Sequence, residues 1–197
     1  ASPSTDKIIG DFKEKYSNVR HVIYDAVSDS NALDAFEIAY GKRALPSYNF
    51  SDADVIVSVG ADFLGDWQGG GHDKGYVNGR VPVKNGNKKA KMSKHFQLES
   101  NMSISGANAD KRIPLTPTQQ KIALAKIYGY ISGFEVSGEL PASVEVSVKQ
   151  ISNSLIKAGN KGVIITGIDD VNAHLLAYAI NDLLKSSSYV KDQLSLI

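Results

Sequence analysis

The chain predicts an α/β domain with a three-layer, mostly parallel, Rossmann-like sheet and helices on both faces. Three observations carry that expectation. Short β-rich runs alternate with amphipathic helical stretches instead of pairing through tight turns, which favours parallel crossovers over hairpins. The runs Val55-Ile-Val and Val163-Ile-Ile are continuously apolar, as strands covered on both faces must be. Two strands also run into polar, glycine-containing loops: Asp54-Val-Ile-Val-Ser-Val-Gly-Ala-Asp62, and the stretch Lys94 to Leu115, KHFQLESNMSISGANADKRIPL, which carries an Ala109-Asp110 pair. Such loops put hydrogen-bonding groups at the carboxyl end of a buried strand, where open α/β sheets place ligands.

Element by element, Ile8, Ile9, Phe12 and Tyr16 share one helical stripe behind a Ser-Pro-Ser-Thr start, and Val19–Tyr24 follows as a strand. Leu33, Phe36 and Tyr40 mark a second helix that Gly41 ends, and Val55–Val59 is the next strand. Residues 65–93 are rich in Gly, Asn and Lys, carry Asn78-Gly79 and Asn85-Gly86 turn signals, and sustain no period, so they read as an exposed excursion from a single domain spanning 1–197. The chain re-enters the core at His95–Glu99. Thr116 with Gln119 then forms a capping box, Pro117 suits a first helical turn, Leu124, Ile127, Tyr128 and Ile131 supply the apolar stripe, and Gly133 stops it. Val144, Val148, Ile151 and Leu155 repeat the pattern up to Gly159. Val163–Thr166 is the fourth expected strand, and Asp169 or Asp170 caps a last helix from Val171 to Leu184.

Composition removes several chemistries. The chain has no cysteine, hence no disulfide framework, thiolate nucleophile or cysteine ligand for zinc or iron–sulfur clusters. A net charge of +1 exerts no general pull on nucleic acid, and no apolar run reaches the roughly 18 residues that span a bilayer. The opening Ala1-Ser2-Pro3-Ser4 resembles an internal cut, which places any export signal outside the chain.

The candidate chemistry is sparse. Gly60-Ala-Asp-Phe-Leu-Gly65-Asp66 has the glycine spacing of a phosphate loop, but Asp66 stands where that loop needs lysine, and a carboxylate there repels phosphate. No G-x-G-x-x-G follows a strand. His21, His72, His95 and His174 lack ligand spacing, and no G-x-S-x-G elbow surrounds a serine. Glu99 and Asp110 are a conceivable general-base pair, although carboxylates at strand ends more often hold loops by accepting backbone N–H bonds. The basic residues Arg80, Lys84, Lys88, Lys89, Lys91 and Lys94 have no interleaved aromatics for base stacking, which points to solvent or an acidic protein partner rather than nucleic acid. Because both loops leave the same edge of a parallel sheet, Gly60, Ala61, Asp62, Glu99, Ser100, Asn101 and Asp110 are expected to line a common cleft, with no catalytic residue and no metal ligand assigned.

Together, ADVIVSVGADFLG and MSKHFQLESNMSISGANADKRIPLTPTQQKIALAK resemble the molybdopterin oxidoreductase superfamily, most closely the ActB-type large subunit of alternative complex III, over about residues 2–126. The resemblance implies a fragment of a larger, Tat-exported subunit on the periplasmic side of the bacterial inner membrane. It would belong to a quinol-oxidising respiratory complex whose partners include iron–sulfur and cytochrome components. Catalytic relatives carry an Asp-Pro-Arg type turn where this chain has Glu99-Ser100-Asn101. They also carry a Pro-Gly-Thr-Asp element where it has Thr116-Pro117-Thr118-Gln119, so the charge-assisted pairing of a carboxylate with guanine is missing. The resemblance thus implies a noncatalytic scaffold without a cofactor. The alternative is an active oxidoreductase domain that binds molybdopterin guanine dinucleotide or another nucleotide.

Overall fold

A computed structural model describes residues 3–22, 24, 29–82 and 91–195. Its centre is a four-stranded sheet, all parallel, formed by β2 (Val55–Val59), β3 (Lys94–Glu99), β4 (Lys111–Pro114) and β5 (Gly162–Thr166) in the order β4-β3-β2-β5, while β1 (Leu45–Tyr48) pairs antiparallel with β6 (Tyr189–Ser195) in a separate two-stranded sheet. The central register sets Val57 beside Phe96 on one side and Ile164 on the other. Helices occupy both faces, so the expected three-layer Rossmann-like α/β fold is present.

One face of the sheet carries Val55, Val57, Val59, Phe96, Leu98 and Ile164. They pack on α5 (Pro117–Ser132), α6 (Ala142–Ala158) and α7 (Val171–Leu184) through Leu124, Ile127, Val148, Ile151, Leu155 and Ile180. These helices begin and end where the sequence dictates. Thr116 and Gln119 make both arms of the capping box; Gly133, at φ +83°, closes α5; and the Asp170 carboxylate accepts from the N–H groups of Asn172 and Ala173 at the start of α7. The opposite face carries Ile56, Val163 and Ile165 under Phe50, Phe63 and Tyr76. A third cluster joins α2 (Ser30–Tyr40) to α7 through Phe36, Tyr178 and Tyr189.

Three expectations are corrected. Val19–Tyr24 contributes no strand among its described residues; Val22 and Tyr24 are exposed, because β propensity without a neighbouring strand leaves backbone groups to water. The preceding stripe does form α1 (Pro3–Lys15), but that helix buries none of its residues. The missing fourth strand is β4, Lys-Arg-Ile-Pro, whose proline is tolerated because the strand lies at the sheet edge. The supposed excursion contains α3 (Asp73–Arg80), whose Tyr76 is buried; Gly75 and Gly79 weaken the helix locally but let it lie against the backbone of Phe50 and Ser51. Lys84, Lys88 and Lys89 lie outside the described residues. The remaining basic residues have partners of their own: Arg80 forms a forked pair with Asp110, Lys91 bonds Asp54, and Lys94 lies 4.7 Å from the centre of the Phe96 ring.

A candidate binding cleft at the strand ends

The chain builds β2, β3 and β4 outward in one direction and then places β5 on the other side of β2. Neighbouring connections therefore diverge between β2 and β5, and their carboxyl ends leave a crevice. There lies a cleft of ≈ 490 Å³ lined by residues of four segments: Gly60 and Asp62 after β2; Glu99, Ser100, Asn101 and Ser103 after β3; Pro117, Gln120 and Lys121 on α5; and Gly167, Ile168 and Asp169 after β5.

Its floor is main chain. Gly60 adopts φ +73°, donates its N–H to Leu98 O at 2.8 Å, and faces the Gln120 amide oxygen, while Gly167 donates to Val59 O at 2.9 Å. A Cβ on Gly167 would meet Gly60 O at 2.5 Å and Ala61 Cα at 2.8 Å, so both turns depend on glycine for different reasons: conformation at Gly60, space at Gly167.

The walls are stitched together by side chains. Asp62 Oδ1 accepts from Ser105 N at 2.8 Å and Ser105 Oγ accepts from Leu64 N at 2.9 Å, joining the loop after β2 to the short helix α4 (Ile104–Ala107). Gln120 Nε2 donates to Ser100 Oγ at 2.7 Å and to Leu115 O. Glu99, 3% exposed, accepts from Ser103 Oγ at 2.6 Å, Ser103 N at 3.3 Å, Arg112 Nε at 2.5 Å and Gln97 Nε2 at 3.1 Å. Burial pushes its carboxyl up, but the bonds from Ser103, Arg112 and Gln97 outweigh burial and hold it below the ordinary range. A carboxylate engaged in this way anchors a loop; it is not poised to abstract a proton.

Of the seven residues expected to line a common cleft, Gly60, Asp62, Glu99, Ser100 and Asn101 do so. Ala61 is fully buried and offers its carbonyl inward, to Ser58 Oγ and Gln97 Nε2. Asp110 does not reach the cleft: it accepts from His95 N at 2.7 Å at the start of β3 and pairs with Arg80, about 13 Å along the strand from Glu99. The Ala-Asp signature thus closes the amino end of the sheet, which rules out a Glu99–Asp110 pair. Gln120, Lys121, Gly167 and Asp169 were missed, although Val163-Ile-Ile-Thr-Gly-Ile-Asp169 repeats the strand-glycine-acid form of Val55-Ile-Val-Ser-Val-Gly-Ala-Asp62.

The rim is negative. Lys121 Nζ lies 2.6 Å from Asp170, which it holds below the ordinary carboxylate range, so its charge is already matched. Asp169 accepts from Asn31 at 2.5 Å, and Asp29 nearby is raised by burial, then by the charges of Asp169 and Asp66. Among the described residues no group of three or more His, Asp or Glu is placed to hold a metal ion, and no helix is long and apolar enough to cross a membrane.

No family model matches the chain, and no curated protein matches it. A solved structure does: the formyltransferase/hydrolase complex FhcABCD from Methylorubrum extorquens in complex with methylofuran, at 17% identity and a TM-score of 0.50, covering 80% of this chain and 41% of that one. At that identity the likeness shows the fold, and the chain spans less than half of its neighbour's length. The finding overturns the molybdopterin-oxidoreductase resemblance and the respiratory quinol-oxidising role drawn from it, since the neighbour is named for formyl transfer and hydrolysis.

Proposed function

We propose that the chain is a ligand-binding α/β domain that works within a multi-subunit assembly, and that its cleft holds a small polar molecule through hydroxyl or amine groups that donate hydrogen bonds. The carrying observation is the position of the cleft, at the carboxyl ends of β2, β3 and β5 where the strand order diverges, with Asp62 and Asp169 on its rim and its one lysine paired to Asp170. The carboxylates of Asp62 and Asp169 on that rim repel phosphate and offer acceptor oxygens to an amine or polyol. Membership of an assembly is supported by the neighbour, which is a complex. Calorimetric titration with methylofuran, a polyol series, a diamine series and guanine nucleotides tests the reading. Nucleotides are expected to bind no tighter than about 1 mM, roughly −4 kcal/mol. At least one amine or polyol ligand is expected to bind tighter and to lose about tenfold or more in Asp169→Asn, as removal of a charged hydrogen-bond acceptor predicts. Micromolar nucleotide affinity, or equal binding by Asp169→Asn, refutes it.

A further inference from the structure

His95, Gln97 and Glu99 alternate along β3, so their side chains share one face of the sheet, and all three are buried. Their surroundings are apolar: Ile56, Val163 and Ile165 complete that face, and Phe63 meets the His95 ring edge-on at 5.1 Å. Within it the polar groups form a ladder. Tyr76 Oη lies 3.2 Å from His95 Nδ1, His95 Nε2 lies 3.1 Å from Gln97 Oε1, and Gln97 Nε2 donates both to Ala61 O at 3.0 Å and to Glu99 Oε2 at 3.1 Å.

The protons in this ladder can be counted. Ala61 O and the Glu99 carboxylate only accept, so the Gln97 amide nitrogen must face them and its oxygen must face His95. His95 Nε2 therefore carries a proton. In a neutral ring Nδ1 is then an acceptor, yet Tyr76 Oη also contacts Asn108 O, a second acceptor, at 2.9 Å. One hydroxyl proton is contested by two acceptors. A further proton on Nδ1 supplies all three contacts: Nε2–H to Gln97 Oε1, Nδ1–H to Tyr76 Oη, and Oη–H to Asn108 O.

We propose that His95 takes up this proton and that the ladder transmits the change to the cleft, drawing the Gly60–Asp62 loop and the Glu99 carboxylate tighter against β3. The imidazolium makes a charge-assisted bond to Gln97 Oε1, stronger than the neutral one, and polarises the amide whose nitrogen holds Ala61 and Glu99. The groups that face His95 set the balance. Burial opposes its charge first, bringing its pKa to about 4; the Gln97 hydrogen bond favours the charge, Arg80 on α3 opposes it, and Asp110 before β4 and Glu99 on β3 favour it. Tyr76 supplies the hydroxyl from α3, and Arg112 on β4 already pairs with Glu99. The switch thus acts near pH 4. Its use as regulation rests on the cleft being the binding site; the coupling itself is measurable without ligand.

Nuclear magnetic resonance on the full chain tests it in two steps. At pH 7 the ring nitrogens are expected to report the neutral tautomer protonated at Nε2; a tautomer protonated at Nδ1 overturns the proton count. From pH 7 to 3 the backbone amides of Ala61, Asp62 and Ser103 are expected to shift with the midpoint of the His95 ring, while the Glu99 carboxyl carbon, followed in the same titration, separates its own protonation. In Gln97→Met the ring should still titrate and the cleft amides should no longer follow. In Tyr76→Phe, which removes the acceptor for Nδ1–H, the ring midpoint should fall. Cleft amides that ignore the ring in the wild type, amides that still follow it in Gln97→Met, or an unmoved midpoint in Tyr76→Phe overturn the proposal. So does unfolding before the ring titrates, since the proton then belongs to the unfolded chain. Failure of ligand binding would appear only in calorimetry and leave these outcomes untouched.

Discussion

Asn181 offers the sharpest test of how the sheet is finished. β5 is an edge strand, paired to β2 on one side only, yet its centre is fully buried, so the outward backbone groups of Ile164 need partners. Asn181 of α7, 1% exposed, supplies both: its Nδ2 donates to Ile164 O at 2.8 Å and its Oδ1 accepts from Ile164 N at 2.9 Å. The amide behaves as one residue of an absent neighbouring strand. Asn181→Leu keeps the volume and leaves two backbone groups buried without partners, at about 1–3 kcal/mol each. Extra apolar burial recovers about 1–2 kcal/mol of that. The net loss is about 1–4 kcal/mol, a large share of a domain's typical ~5–15 kcal/mol. In urea, with a slope of roughly 2 kcal/mol per molar, the midpoint should fall by about 0.5–2 M at unchanged slope. A fall below about 0.3 M would mean that α7 is held by its apolar stripe alone and that the strand edge does not depend on Asn181.

Acid should destabilise the fold. His95 and His174 are buried and, by that burial, both have pKa values of about 4 against 6.5 in the open chain. The unfolded state binds more protons between those values, so stability falls as pH drops from about 6.5 to 4, by up to ~3 kcal/mol per ring; below that the histidine part is constant, and protonation of the held carboxylates Glu99, Asp110 and Asp170 continues the fall. Thermal melts from pH 7 to 4 check the slope, and His174→Gln should flatten it. Gly167→Ala, whose Cβ would press on Gly60 O and Ala61 Cα, should cost about 1–3 kcal/mol and shift the amide resonances of both turns; a melting temperature equal to wild type would contradict the close approach. Thr116→Ala should cost about 1 kcal/mol through loss of the α5 cap, measured by the same denaturation, and Thr116→Ser should restore most of it.

What the sequence made readable was local. Thr116, Gly133, Gly41 and Asp170 mark helix ends because capping depends on a few neighbouring residues, and each performs that role. Val55-Ile-Val and Val163-Ile-Ile announced buried strands from a few consecutive residues, although of the two only β2 is central and β5 lies at the sheet edge. What stayed hidden depends on contacts far along the chain. β4 is four residues with two charges and a terminal proline, and it becomes a strand only because β3 offers an edge. α3 is glycine-rich and reads as loop until Phe50 and Ser51 lie beneath it. β3 itself breaks the expectation of an apolar strand, since one of its faces is polar and sealed. Within the cleft, the loops after β2 and β3 were readable from their form, whereas the placement of Asp110 at the other end of the sheet required knowing that the chain turns back at Asn108 to pair Asp110 with His95 N.

The crossing of the turns at Gly60 and Gly167 has a practical consequence. Because a methyl group at Gly167 collides with main chain rather than with a movable side chain, a substitution there has to displace both turns, and the base of the cleft is the costly place to change. Selectivity is better engineered around its mouth, at Asp62, Asn101, Lys121 and Asp169. Of these, Asn101 alone has no part in holding a loop or helix end through a hydrogen bond described above, which makes it the position where a library of side chains would alter what enters while leaving the sheet undisturbed.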